Sequence, residues 1–138
     1  MNCNQVGQLT EAIVLVEALK HNIVVSYPYG DKARYDMLFD IDGRILKIQV
    51  KTSREAKVSG SAFMFNCYSV VNGHKHKYNE TEIDYFATVW DNQVYLIPVV
   101  ECSTEKTLWL STPNNNKCCV AKKYLLEEVK KDIQAQLK

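Results

Sequence analysis

The sequence predicts an α+β domain, a mixed sheet flanked by helices, and three observations carry that expectation. An N-terminal segment repeats its apolar residues at helical spacing, two later segments alternate about tight turns, and the chain closes on a second helical stripe. At 138 residues, with 46% apolar and 24% charged, the chain is long enough to bury a core without staples. A single domain spanning residues 1–138 is expected.

The first helix is expected from about Gln5 to His21, with Asn4 as an available cap. At 100° per residue, Leu9, Ala12, Ile13, Val14, Leu15, Val16, Ala18 and Leu19 form a wide apolar arc. Glu17 falls outside it, beside Thr10 and His21. Glu11 falls inside it, where an ordinary surface glutamate has no reason to be.

"NIVVSYPYG" reads as a short strand ending at Pro28, and "YDMLFDIDGRILKIQVKT" as two strands joined at Asp42-Gly43. A two-residue turn there pairs Ile41 with Arg44 and Asp36 with Gln49. Met37, Phe39, Ile41, Leu46, Ile48 and Val50 then share the core face. Asp36, Gln49 and, one step along, Lys51 share the other, with directly opposed β-carbons roughly 5 Å apart.

A polar stretch follows, then a strand "AFMFNCYS", and then a loop "VNGHKHKYNETE". "IDYFATVW" and "QVYLIPVV" form a second hairpin about Asp91-Asn92. After the turn-rich "STPNNNK", a helix is expected from about Lys122 to Leu137. Its stripe of Leu125 or Leu126, Val129, Ile133 and Leu137 either docks on the domain or meets another subunit.

No segment reads as a signal peptide and no apolar run approaches the roughly 18 residues of a membrane span, so a cytoplasmic protein with no membrane partner is expected. Five cysteines without C-x-x-C spacing (Cys3, Cys67, Cys102, Cys118, Cys119) favour neither a disulfide framework nor a zinc site. Net charge is only +1, yet between Arg44 and Lys77 the cations face Glu55 alone. Such a window suits phosphate contact, and a solvated loop face explains it nearly as well.

Two carboxylates and an amide oxygen brought together are hard ligands, suited to Mg2+ or another hard divalent cation. Such an ion polarises a phosphoryl oxygen and activates water, and an adjacent lysine stabilises the developing charge. Those are the parts that phosphodiester hydrolysis needs.

Glu11, Asp36 and "QVK" at 49–51 resemble the PD-(D/E)XK nuclease signature. More narrowly, "RYD" at 34–36, "IQVKT" at 48–52, "EIDYFA" at 82–87 and "VYLIPV" at 94–99 resemble the group I intron-associated PD-(D/E)XK endonucleases. The resemblance implies a restriction endonuclease-like αβββαβ core, metal-dependent cleavage of double-stranded DNA, and intron homing. It also implies a homo-oligomer, a tetramer with a dimer as the alternative, for which the C-terminal stripe would be the assembly surface.

By the same resemblance Asp36 is the metal-binding aspartate, Gln49 fills the (D/E) position, Lys51 is the catalytic lysine and Glu11 is the first-helix glutamate. The Val50 carbonyl would be a further ligand. Gln49 departs from the strict motif, a neutral amide replacing an anion, and Tyr35 stands where the motif has proline. The alternatives are a junction resolvase or restriction-type nuclease of the same fold, or a catalytically inactive DNA-binding module. Arg34, Arg54, Lys57, His74, Lys75, His76 and Lys77 are the candidate DNA contacts, the lysines for phosphates. The two histidines are read as solvent-facing rather than as a metal pair, and Tyr68, Tyr78 and Tyr85 as packing residues.

Overall fold

A computed structural model describes residues 1–111 and 120–138. Cys118, Cys119 and most of "STPNNNK" therefore lie outside the described residues, and Cys3, Cys67 and Cys102 are free thiols.

Helix α1 runs Cys3–Lys20 and begins at Asn2 rather than Asn4. The Asn2 side chain accepts the Gln5 N–H at 3.0 Å and the Gln5 side chain accepts the Asn2 N–H at 3.0 Å. This reciprocal pair satisfies two end amides at once, which a lone Asn4 cap would not. The helix buries a narrower stripe than its composition implies: Thr10, Val14 and Ala18 are inside, whereas Leu9, Val16 and Leu19 remain 47%, 51% and 54% exposed.

Strands β1 (Val24–Ser26), β2 (Met37–Ile41) and β3 (Arg44–Val50) form an antiparallel meander. Asp42 and Gly43 have φ of 51° and 95°, a turn whose twist matches its strands. The register is the expected one, Ile41 against Arg44 through Met37 against Ile48. Strand β3 then pairs in parallel with β8 (Tyr85–Trp90), which forms a hairpin with β9 (Gln93–Pro98), giving the order β1-β2-β3-β8-β9.

Both faces of this sheet are covered, which is why β8 and β9 read as nearly continuous apolar runs. On one face Met37, Phe39, Leu46, Ile48 and Leu96 pack against Val14 and Ala18 of α1 and Leu126, Val129 and Ile133 of α2 (Leu126–Gln136). On the other, Phe86, Tyr95 and Ile97 meet Phe63, Phe65 and Leu108. Those last come from a small sheet of β4 (Arg54–Glu55), β5 (Ser61–Asn66) and β10 (Glu105–Ser111), ordered β10-β5-β4. No described helix is long and apolar enough to cross a membrane.

Four local expectations are corrected. "AFMFNCYS" is not one strand but breaks at Cys67, and the expected loop "VNGHKHKYNETE" begins as a two-stranded ribbon, β6 (Tyr68–Val71) with β7 (His74–Lys77), turning at Asn72-Gly73. The reason is turn chemistry: Asn-Gly, with both residues at positive φ, is a hairpin turn, and the basic charge about it hides the strand. Strand β10 was not expected at all; its alternation is blurred by Lys106 and Glu105, and it exists because β5 supplies a partner edge. The C-terminal stripe docks on its own sheet, burying Leu126, Val129 and Ile133 and leaving Leu137 exposed, so those three are not available to another subunit. The crossover from β3 to the parallel β8 accordingly contains strands β4 to β7, within a mixed α+β fold of the expected class.

Candidate active site

Strand β2 leaves β3 at Asp36, and the site lies where it leaves. The Asp36 N–H still donates to the Ile48 carbonyl at 2.8 Å, but the next ladder partner is the side chain: Asp36 Oδ2 accepts the Val50 N–H at 2.8 Å. A carboxylate thus completes the β-ladder in place of a backbone carbonyl. One oxygen is fixed, and Oδ1 has no hydrogen bond among the described residues.

Lys51 is fixed from the opposite edge. Its N–H donates to Ala87 of β8 at 2.9 Å, and its carbonyl accepts the Thr88 hydroxyl at 2.7 Å. Val50, one residue back, therefore presents its backbone to the edge that β2 has vacated. Gln49 and Lys51 point to one face, and no described residue hydrogen-bonds the Gln49 amide. Lys51 Nζ donates to the Tyr68 carbonyl at 2.8 Å and lies 5.1 Å from the Tyr78 ring centroid.

Glu11 approaches from α1, whose Thr10 hydroxyl meets that of Thr52 at 3.5 Å. Burial first, and the Asp36 charge second, push the Glu11 carboxyl above its ordinary value. Burial also raises Asp36, against the opposing pull of the Val50 N–H and of Lys51, and burial depresses Lys51 despite Asp36. Two partly desolvated carboxylates, one of them raised further by the charge of the other, are a site that a cation would relieve. The donors on hand are all oxygen, which fits a hard divalent ion. Among the described residues no three of His, Cys, Asp and Glu cluster to hold a metal.

Of the proposed DNA contacts, His74, Lys75, His76 and Lys77 are all exposed on β7, and Arg54 and Lys57 are exposed on and beside β4. Arg34 differs. Its Nη1 donates to both Glu82 carboxylate oxygens, at 3.1 and 2.9 Å, and to the Lys77 carbonyl at 3.2 Å. Its Nη2 donates to Ser69 Oγ at 2.7 Å and the His76 carbonyl at 3.3 Å, and the guanidinium lies 3.9 Å from the Tyr78 centroid. The cation read from charge alone as a DNA contact is engaged internally, clamping the base of the ribbon. Tyr78, read from the sequence as a packing residue, does pack, edge-on to Phe86 at 5.5 Å, and its ring also lies near both Arg34 and Lys51; sequence reasoning missed Tyr27, which shares a shallow cleft with Glu11. Nothing local in the sequence links these residues to the motif.

A model of the PD-(D/E)XK endonuclease family matches residues 1–125. The fold is similar to that of a bacterial homing endonuclease, I-Ssp6803I, with a TM-score of 0.77 over 100% of this chain and 99% of that one, at 19% identity. A likeness at that identity speaks to the fold alone. No curated protein matches the chain in sequence.

Proposed function

This chain belongs to the PD-(D/E)XK endonuclease family, and from that premise we propose that it is a divalent-metal-dependent, site-specific endonuclease of double-stranded DNA, of the intron-homing type, working as a homo-oligomer. One observation carries the reading: Asp36, just past the last β2–β3 pair of Met37 with Ile48, is locked to the N–H of Val50, which Gln49 and Lys51 flank. The fold likeness to a homing endonuclease supports the homing part.

Asp36, Glu11, the Gln49 amide oxygen and the Val50 carbonyl would hold the ion, with Mg2+ the natural hard choice. When bound, it supplies Lewis-acid polarisation of the scissile phosphate and lowers the pKa of a coordinated water. The chain's own residues do the rest. Lys51, partly desolvated, stabilises charge developing on the phosphoryl oxygens and orients the attacking water. The neutral Gln49 lowers the negative charge of the site, which weakens ion affinity without removing a ligand atom. Exposed cations at Arg54, Lys57, Lys75 and Lys77 fit contact with DNA phosphates.

The test is incubation of the purified protein with long duplex DNA of pooled sequence, with Mg2+ and with EDTA, followed by sequencing of the ends. Discrete, Mg2+-dependent double-strand ends at one long site are expected. Retained duplex binding without any ends would replace the reading with an inactive DNA-binding module.

A further inference from the structure

Among the described residues the β6–β7 ribbon pairs with no other strand. Val70, Val71 and every residue from Asn72 to Lys77 are exposed. Its base is nevertheless held twice, by Lys51 at the Tyr68 carbonyl and by Arg34 at Ser69, His76 and Lys77. An exposed ribbon on a fixed base has a defined direction.

The register decides what each face carries. Ser69 opposes His76 and Val71 opposes His74, so those four share one face; Tyr68 and Val70, opposing Lys77 and Lys75, share the other. The faces are not equivalent. Ser69 Oγ accepts from Arg34 Nη2, and Arg34 stands two residues before Asp36, so the face that carries Ser69 and the histidines is tied through Arg34 to the segment leading into the candidate site. On the opposite face Lys75 folds back over the Tyr68 ring, 4.6 Å from its centroid.

Resting on the endonuclease reading, we propose that the ribbon enters the DNA major groove beside the scissile phosphate with Val71, His74 and His76 against base edges, while Lys75 and Lys77 hold phosphates. The major groove, about 12 Å wide, admits a two-stranded ribbon. An imidazole can donate to or accept from purine edges, and Val71 suits a thymine methyl. Lysine is a mobile point charge that fixes position rather than sequence. His74 and His76, two residues apart, are separated by roughly 7 Å along the strand, which corresponds to about two base-pair steps.

The experiment is selection of bound duplexes from a randomised DNA library by the full chain and by variants His74→Ala, His76→Ala and Lys75→Ala/Lys77→Ala, each checked for an unchanged melting temperature. The histidine variants are expected to lose about tenfold or more discrimination within one block of two to four base pairs, with other positions and the salt dependence as in the wild type. The double lysine variant is expected to weaken all sequences alike and to flatten the salt slope by about one per lysine. Histidine variants whose preferences match the wild type at every position, or a lysine variant that shifts base preference, would overturn the assignment while leaving the endonuclease reading intact. Wild-type protein that neither binds nor cleaves duplex would overturn both.

Discussion

Asp36→Asn and Asp36→Ala both remove the carboxylate charge, but only the alanine also removes the acceptor of the Val50 N–H. Asparagine keeps an oxygen at the right reach, so the 2.8 Å bond survives in one variant and is lost in the other. At a partly buried strand edge, an amide left without a partner costs about 1–3 kcal/mol. In a chain of 138 residues each kcal/mol moves the midpoint by about 3–5 °C, so Asp36→Ala should melt roughly 3–15 °C below Asp36→Asn. Thermal unfolding of both proteins in EDTA measures this, and cleavage is assayed in parallel. Both variants should lose at least about 10³-fold in cleavage rate, the loss of a charge aimed at the reacting centre being worth several kcal/mol. Equal melting temperatures would refute the claim that the carboxylate completes the ladder. Cleavage by Asp36→Asn within tenfold of the wild type would refute its chemical role.

The remaining expectations concern the same face. Lys51→Met should slow single-turnover cleavage by about 10²–10³-fold and leave duplex affinity within a few-fold, by gel shift in Ca2+; equal loss of both would make Lys51 a structural residue. Gln49→Glu restores an anion and should tighten divalent-ion binding by about tenfold or more, read by isothermal titration; unchanged affinity would remove Gln49 from the ligand set. Asp36 takes up its proton more readily folded than unfolded. The stability this contributes is full below its ordinary value of 3.8 and is lost as pH rises through the elevated folded value. The melting advantage of Asp36→Asn over the wild type in EDTA should therefore open as pH rises from about 3.8, and a constant gap would contradict it. For Lys51 the sign reverses: burial favours the neutral amine, so the advantage of Lys51→Met should be present at neutral pH and close toward 10.5.

Much of the site was legible because a tight hairpin makes distant contacts local. Asp42-Gly43 dictates a two-residue turn, and the turn dictates the register, which runs as expected from Ile41 against Arg44 to Met37 against Ile48 and ends one residue short of Asp36 and Gln49. Alternation likewise identified Met37, Phe39, Ile41, Leu46, Ile48 and Val50 as core; the first five are buried and Val50 is half-buried. The wide arc of α1 was legible as apolar but not as buried, because only the packing of α1 across the sheet decides that Thr10 goes inside while Leu9, Val16 and Leu19 stay out.

What only the tertiary structure decided depends on contacts between residues far apart in the chain. The bond from Asp36 to Val50 arises because β2 departs where β3 continues to β8. Arg34 reads as one more surface cation until the fold brings Ser69, Tyr78 and Glu82 around it. Strand β10 needs the edge of β5, and the C-terminal stripe needs the sheet beneath it. By itself the sequence determined the register of the hairpin beside the candidate site, since turn type and side-chain period are local properties. Which cations stay exposed and which hold the protein together was decided by long-range packing, because charge alone does not say what lies opposite it.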